Sequence, residues 1–351
     1  MQIDIAIVGQ GICGTLLSWF LHKEGRSFVV IDNNDPAASS KIAAGIINPV
    51  TGRRFVYTWM IDVLMPFAKS TYKEIGTFLN KELVVQKDII EFFPSPQMRD
   101  AFTTRITEDD TFLHTYPDQN YFNPYFNYEF GCGEICPALI IDMQPLLNEW
   151  RKYLQTKNLL REEDFVAKEL NISDRIAYKD ITAQKIIFCD GINSLNNPFF
   201  SMLPFAPNKG EVLIIEAEDL PDNHIFKKGM MLAPLFTKNL FWVGSSYEWE
   251  FKTPHPTEKF YKQTKNLLDQ WLKVPYKIVD HFAAVRPATI ERRPFVGFHP
   301  QYQNVGILNG MGTKGTALAP FFAHQLVQNI IFNLPVTDEA DVRRFTRILT
   351  K

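Results

Sequence analysis

Cysteine is scarce in this 351-residue chain, and the four present, Cys13, Cys132, Cys136 and Cys189, are scattered. A disulfide framework needs denser, paired cysteines, so a stapled secreted scaffold is excluded. Cys132 and Cys136 form a single C-x-x-x-C with no second Cys or His pair beside it, which argues against a zinc site. An excess of one charge is lacking too. Lys and Arg number 37 against 39 Asp and Glu, a net charge of −2. Phosphate contacts draw on surplus cations, so a general nucleic-acid partner is not expected. No apolar run is long enough to span a bilayer. The start, MQIDIAIVGQG, carries Asp4 and has neither a basic leader nor a cleavage site. No secretory signal is read there, and reducing cytoplasm is the expected compartment. Internal repeats and low-complexity tracts are missing, as are a Ser-His-Asp pattern and H-E-x-x-H. A phosphate P-loop is missing as well, because in GTKGT the lysine stands on the wrong side of the glycine.

What is present is the balance of a globular protein, 46% hydrophobic and 22% charged. At roughly 150 residues per domain the length suggests two domains. The aromatic content is high, with 29 Phe, 12 Tyr and 6 Trp. Such side chains fill either a well-packed core or a core that carries a large pocket.

Along the chain, Ile3–Val8 reads as a buried strand, followed by a glycine-rich break. Apolar residues then fall at helical spacing up to His22, and Gly25 ends that helix. Ser27–Asp32 reads as a second buried strand, completing a β–turn–α–β unit of about thirty residues. Residues 33–54 are rich in small side chains. Helices are expected over Met60–Leu79, Met143–Gln155, Glu258–Trp271 and Ala317–Asn329. Buried strands are expected over Lys185–Cys189 and Val305–Leu308, and Phe282–Val285 reads as strand-like. Residues 84–136 read as strand-like and irregular. Glu211–Glu216 and Leu240–Gly244 read as strands of an antiparallel sheet. The nucleotide-type elements therefore lie at both ends and in the middle, with the antiparallel ones between, which implies two domains assembled from discontinuous segments.

Gly9-x-Gly11-x-x-Gly14 stands between the first strand and its helix, and Asp32 ends the second strand. Gly9 permits the tight turn, Gly11 lets a pyrophosphate approach the backbone, and Gly14 lets helix and strand pack closely. The helix N-terminus offers free N–H groups to phosphates, and an acid at the end of the second strand accepts hydrogen bonds from a ribose. Strand, spacing, helix and acid agree on a dinucleotide site, but this fingerprint does not choose between FAD and NAD. Three further segments bear on the choice. Ser39-Ser40-x-x-Ala43-Ala44-Gly45-Ile46 is small enough to lie against a planar ring. Arg286-Pro287-Ala288-Thr289 continues to Glu291, Pro294 and Gly297. Asn309-Gly310-Met311-Gly312-Thr313-Lys314-Gly315-Thr316 is a glycine turn between a strand and a helix, again an anion- or dipole-binding arrangement.

Together and in this order, these segments resemble the D-amino-acid oxidase family of FAD-dependent oxidoreductases, whose members include glycine oxidase and sarcosine oxidase. The likeness is strong at both ends and faint over roughly 80–135 and 205–280. It implies an α/β and α+β protein: an FAD-binding Rossmann-like domain over 1–79, 137–204 and 283–351, and a discontinuous, mostly antiparallel substrate domain over 80–136 and 205–282. It implies that Gly9, Gly11, Ile12, Cys13 and Gly14 hold the FAD pyrophosphate and that Asp32, followed by Asn33, holds the adenosine ribose. Many relatives have Glu at that place. Ser39, Ser40, Ala43, Ala44, Gly45 and Ile46 would pass the pyrophosphate and flavin, and Val166, in the strand-like FVAK, would meet the adenine through its backbone. Asp190-Gly191 resembles the turn after a central strand. Gly312, Thr313, Lys314, Gly315 and Thr316 would offer donors to the flavin N1–C2=O edge. Arg286 would grip a substrate carboxylate, its guanidinium forking onto both oxygens; the alternative is a structural pair with an acid such as Glu291. No metal is implied, and no side chain is assigned as catalytic, since the flavin performs the chemistry.

The resemblance implies oxidation of the C–N bond of a small amino acid or secondary amine, with hydride transfer to flavin N5 and O2 or another electron acceptor. A quinone- or carrier-linked dehydrogenase and a non-catalytic FAD-binding partner protein remain open beside it. No firm equivalent of the family's active-site tyrosine is found, Tyr247 and Tyr261 being the candidates. The lysine that some sarcosine-type relatives use for oxygen activation is not identified either, and the oligomeric state is not set.

Overall fold

A computed structural model describes residues 1–350. The chain begins as expected, with β1 (Gln2–Val8), α1 (Ile12–Lys23) and β2 (Phe28–Ile31). There follow the short α2 (Ser39–Ile42), α3 (Ile61–Leu79), α4 (Pro96–Glu108) and α5 (Met143–Thr156). Beyond α5 come β3 (Ile181–Phe188), β4 (Asn208–Glu216), β5 (Ile225–Lys228), β6 (Met230–Pro234) and β7 (Leu240–Gly244). The chain ends with α6 (Glu258–Trp271), β8 (Lys277–Arg286), β9 (Val305–Asn309), α7 (Gly315–Phe332) and a last short helix.

Two eight-stranded sheets organise these elements. In the first, β2, β1, β3 and β9 run parallel in that order, and Ile176–Tyr178 turns back antiparallel on β3. Its central strands are apolar on both faces, as a covered parallel sheet requires. In β1, Ile5 and Ile7 face the helices α1, α3, α5 and α7, while Ala6 and Val8 face a second core with Phe188, Phe200 and Phe295. Leu146, Leu147, Trp150 and Leu154 form the buried stripe of α5, at helical spacing. Trp150 closes that packing by donating its indole N–H to Ser18 Oγ at 2.8 Å.

The second sheet has the order β8, β4, β7, β6, β5, then Ile89–Phe92, Cys132–Ile135 and Leu113–Thr115. It is antiparallel except where β5 pairs parallel with Ile89–Phe92. One face, with Leu213, Ile215, Phe226, Val243 and Phe92, is covered by α6 and an aromatic cluster around Trp271. The other face looks toward the first sheet. The β8 strand runs unbroken through position 282/283, the boundary expected from the sequence, so Ala283–Arg286 belong to the second sheet.

Two local expectations need correction. Residues 96–108 form α4 instead of irregular strand. Its start is signalled by Ser95, whose hydroxyl accepts from Met98 N, and by Pro96 in the first turn. Only Phe102 of α4 is buried, so no apolar periodicity marked it. Val166 is not in a strand; it leads into the 3-10 turn Ala167–Glu169.

Candidate functional site

Between the two sheets runs a cleft of about 900 Å³. One wall begins at the β1–α1 turn. There Gly9 has a left-handed φ of 97°, and a Cβ on it would stand 2.5 Å from the Cys189 carbonyl oxygen. A Cβ on Gly14 would collide with the Gly9 carbonyl, so this glycine does the helix–strand packing expected of it. Gly14 does not line the cleft, whereas Gly9, Gly11, Ile12 and Cys13 do. Among residues 1–350 the backbone N–H groups of Gly11, Cys13 and Gly14 find no hydrogen-bond partner, which leaves the positive end of α1 free for an anion. Ile12 N donates to Ser40 Oγ at 3.0 Å and so ties the Ser39–Ser40 segment to the turn. Burial pushes the Cys13 thiol up to about 12, which makes it an inert lining group.

Asp32 and Asn33 line the cleft just beyond the end of β2. The Asp32 carboxylate is held from several directions. Oδ2 accepts from Gln10 N at 2.8 Å, while Oδ1 accepts from Asn34 N at 2.9 Å and from Arg151 Nη1 at 2.7 Å. Arg151 comes from α5 and is buried. It also donates to Gln10 Oε1 and to Glu162 Oε2. This arginine escaped the sequence reading. The available signal was a charged residue one position after Trp150 on the buried face of an amphipathic helix. Val166 does not line the cleft, although its neighbours Phe165 and Ala167 do; Val166 N donates to the Tyr178 hydroxyl at 3.2 Å.

Ser39, Ser40, Ala43, Ala44, Gly45 and Ile46 form the next stretch of wall, and Asp190, Gly191 and Gly312–Thr316 the stretch opposite. Burial raises the Asp190 carboxyl above its ordinary value, against hydrogen bonds from Ser194, Asn197 and Asn309. At the start of α7 the N–H groups of Thr313, Gly315 and Thr316 lack partners among the described residues. Lys314 lines the cleft beside them, its ammonium 3.4 Å from Thr58 Oγ1. Burial, with Arg292 and Arg293 adding to it, lowers the Lys314 pKa.

The second sheet supplies the remaining wall through Gly210, Val212, Lys227, Met231, Trp242 and Gly244. Trp242 bridges the two sides by donating its indole N–H to the Ile42 carbonyl at 2.9 Å. Arg286 ends β8 at this wall. Its Nη1 donates to Asn208 Oδ1 at 2.6 Å and its Nη2 to Ser245 Oγ at 2.6 Å, with longer contacts to the Ser246 carbonyl. All these partners are neutral. Glu291 pairs instead with Arg344 at 3.2 Å, so the structural ion pair considered for Arg286 does not form. Burial lowers the Arg286 pKa, and the Tyr247 ring, 5.7 Å from the guanidinium carbon, opposes that shift. Tyr247 is half exposed and does not line the cleft. Tyr261 packs near His281 on the opposite face of the sheet.

A long cleft lined by two helix N-termini with partnerless amides, by the Asp32 carboxylate and by a guanidinium without a counter-charge has room and donors for a dinucleotide and for a second anion. The model of the DAO family, FAD dependent oxidoreductase, matches residues 4–329, and the chain belongs to that family. FAD is therefore its cofactor, and the partnerless amides of α1 and α7 suit a pyrophosphate and a polar ring edge. Over 97% of its length the chain is 20% identical to a glycine oxidase of Pseudomonas aeruginosa, covering 98% of that protein. Its fold matches glycine oxidase from Geobacillus kaustophilus with a TM-score of 0.80 at 16% identity, over 96% of each chain. It matches iminodiacetate oxidase from Chelativorans sp. BNC1 with a TM-score of 0.74 at 18% identity, over 95% of this chain and 96% of that one. No helix is long and apolar enough to cross a membrane. Among the described residues no group of His, Cys, Asp and Glu is arranged to hold a metal ion.

Proposed function

We propose that this protein oxidises the C–N bond of a small amino acid or secondary amine that carries a carboxylate. The observation that supports this reading is Arg286: a desolvated, permanently charged guanidinium at the cleft wall, bonded only to neutral oxygens. A charge taken out of water without a counter-charge is costly, and a substrate carboxylate supplies the missing partner through a two-point fork. When bound, FAD supplies the two-electron acceptor that takes a hydride at N5.

The chain's own residues bind, orient and shield. Arg286 fixes the carboxylate end of the substrate, which places the α-carbon at a set distance from the opposite wall. Trp242, Met231 and Val212 flank that position with apolar surface and exclude water. The neutral amine, not the ammonium, is the form that loses hydride, and no described side chain is needed to carry the electrons. The Thr313, Gly315 and Thr316 amides and the Lys314 ammonium would be the donors toward a ring edge that carries negative charge. Gly9, Gly11, Ile12 and Cys13 take the pyrophosphate, and Asp32 takes the ribose. In this reading the first sheet with its helices is the cofactor domain and the second sheet the substrate domain.

The test is anaerobic mixing of the holoenzyme with a panel of amino acids and N-methyl amines, followed by loss of the oxidised flavin band. Bleaching by a carboxylate-bearing amine, with its affinity reduced ten- to hundred-fold by Arg286→Lys, is the expected result. If no amine bleaches the flavin, or if Arg286→Lys has no effect, this reading is wrong.

A further inference from the structure

Arg286 does not stand alone at the wall. Ser245 follows directly after β7, lines the cleft, and places Oγ 2.6 Å from Arg286 Nη2. The direction of that hydrogen bond is fixed by chemistry. A guanidinium has donors and no acceptor, so the serine oxygen accepts. A hydroxyl also carries one donor of its own, and among residues 1–350 the Ser245 O–H finds no acceptor. The next residue is held tightly: Ser246 N donates to the Glu211 carbonyl at 3.1 Å, and Glu211 N donates to Ser246 Oγ at 2.8 Å. Glu211 is fully buried, its carboxylate paired with Lys209 at 2.9 Å and accepting from Thr257 N and Oγ1. The backbone that presents Ser245 is thus anchored to β4, and its hydroxyl is positioned before any ligand arrives.

We propose that Ser245 is a second substrate-binding residue, donating its hydroxyl hydrogen to the substrate carboxylate while its oxygen accepts from Arg286. This deepens the reading of Arg286 given above and rests on it. A carboxylate has about four lone-pair sites, so guanidinium and hydroxyl can serve it together. The pair would favour an oxyanion over a neutral group, because a permanent positive charge and a second donor face it together. It also supplies from a serine the hydroxyl that the sequence reading sought in Tyr247 or Tyr261.

The experiment titrates the holoenzyme with acetate and glycolate, read as perturbation of the flavin spectrum. It compares wild type, Ser245→Ala, Ser245→Thr, Arg286→Lys and the Ser245→Ala/Arg286→Lys double variant. Flavin content is measured in each and should not change. Ser245→Ala should weaken binding about ten-fold, Ser245→Thr should restore most of it, and the loss should persist in the Arg286→Lys background. A loss that vanishes in that background would show that Ser245 only orients the guanidinium, and would overturn the proposal while leaving the Arg286 reading intact. Unchanged affinity in Ser245→Ala would overturn it as well. Should Arg286→Lys bind both carboxylates as tightly as wild type, the Arg286 reading falls and Ser245 falls with it.

Discussion

The Arg286 guanidinium lies over the α-carbon of Gly210 on the neighbouring strand, so that a Cβ added at Gly210 would overlap Nη2 and the guanidinium carbon. Asn208, two residues earlier on the same strand, accepts from Nη1. The β4 strand therefore provides both a hole and a hydrogen-bond acceptor for the charge. Strand interiors disfavour glycine, and here its presence answers to a close approach.

It follows that Gly210→Ala should displace the guanidinium without touching the cofactor wall. Carboxylate affinity should fall ten-fold or more while FAD content stays at the wild-type level. Equilibrium titration and the flavin-to-protein absorbance ratio check the two halves separately. Wild-type affinity in the alanine variant would mean that the arginine has another seat.

Arg151 gives a second, distant prediction. Its guanidinium and the Asp32 carboxylate are 2.7 Å apart and both are largely shielded, with side-chain exposures of 7% and 17%. Arg151→Met leaves Asp32 without its counter-charge and should lower stability by about 3 kcal/mol, the scale of a broken shielded pair. FAD should also bind more weakly, because Asp32 loses one of its anchors. Adding Asp32→Asn to Arg151→Met should recover part of the stability but not the FAD affinity. Chemical denaturation of the apoprotein and FAD titration distinguish the two effects.

The glycine turn and the acid after the second strand were legible because their physics is local. Gly9, Gly11 and Gly14 stand between a strand and a helix that periodicity alone identifies, and Asp32 falls at a fixed distance along the chain. The partners of these residues were not readable. Arg151 reaches Asp32 from 119 residues away, and Asn208 and Ser245 reach Arg286 from 78 and 41 residues away. Those meetings depend on which strands become neighbours, and the order β8, β4, β7 leaves no trace in composition or spacing. The α4 helix stayed hidden for the opposite reason: its capping signal was present, but with Phe102 alone buried it showed no apolar stripe.

Gly11 and Gly14 differ in what they do, and substitution should separate them. A Cβ on Gly11 meets only the Ser40 side chain, with Oγ at 3.2 Å, whereas one on Gly14 runs into the backbone carbonyl of Gly9. Gly11→Val should give folded, colourless protein, because the side chain fills the space the pyrophosphate needs. Gly14→Ala should instead lower the melting temperature of the apoprotein, since helix and strand must separate. Yellow Gly11→Val protein would argue that the phosphates do not pass this turn.

Asp142 allows a test of stability against pH. It stands at the start of α5 with no side-chain capping bond, and burial raises its pKa from 3.8 to about 6. A carboxyl with a higher pKa in the folded than in the unfolded state binds its proton more tightly when folded. Its contribution to stability is fully present below about pH 3.8 and is lost as the pH rises through about 6. Asp142→Asn keeps the shape of the side chain but not the charge. The variant should therefore be more stable than wild type at pH 7, with the gap closing as the pH falls from 6 toward 4. Urea denaturation of both proteins across that range, at constant ionic strength, measures the gap directly. A difference that stays constant with pH would show that the Asp142 carboxylate is solvated at the helix start and does not titrate with the fold.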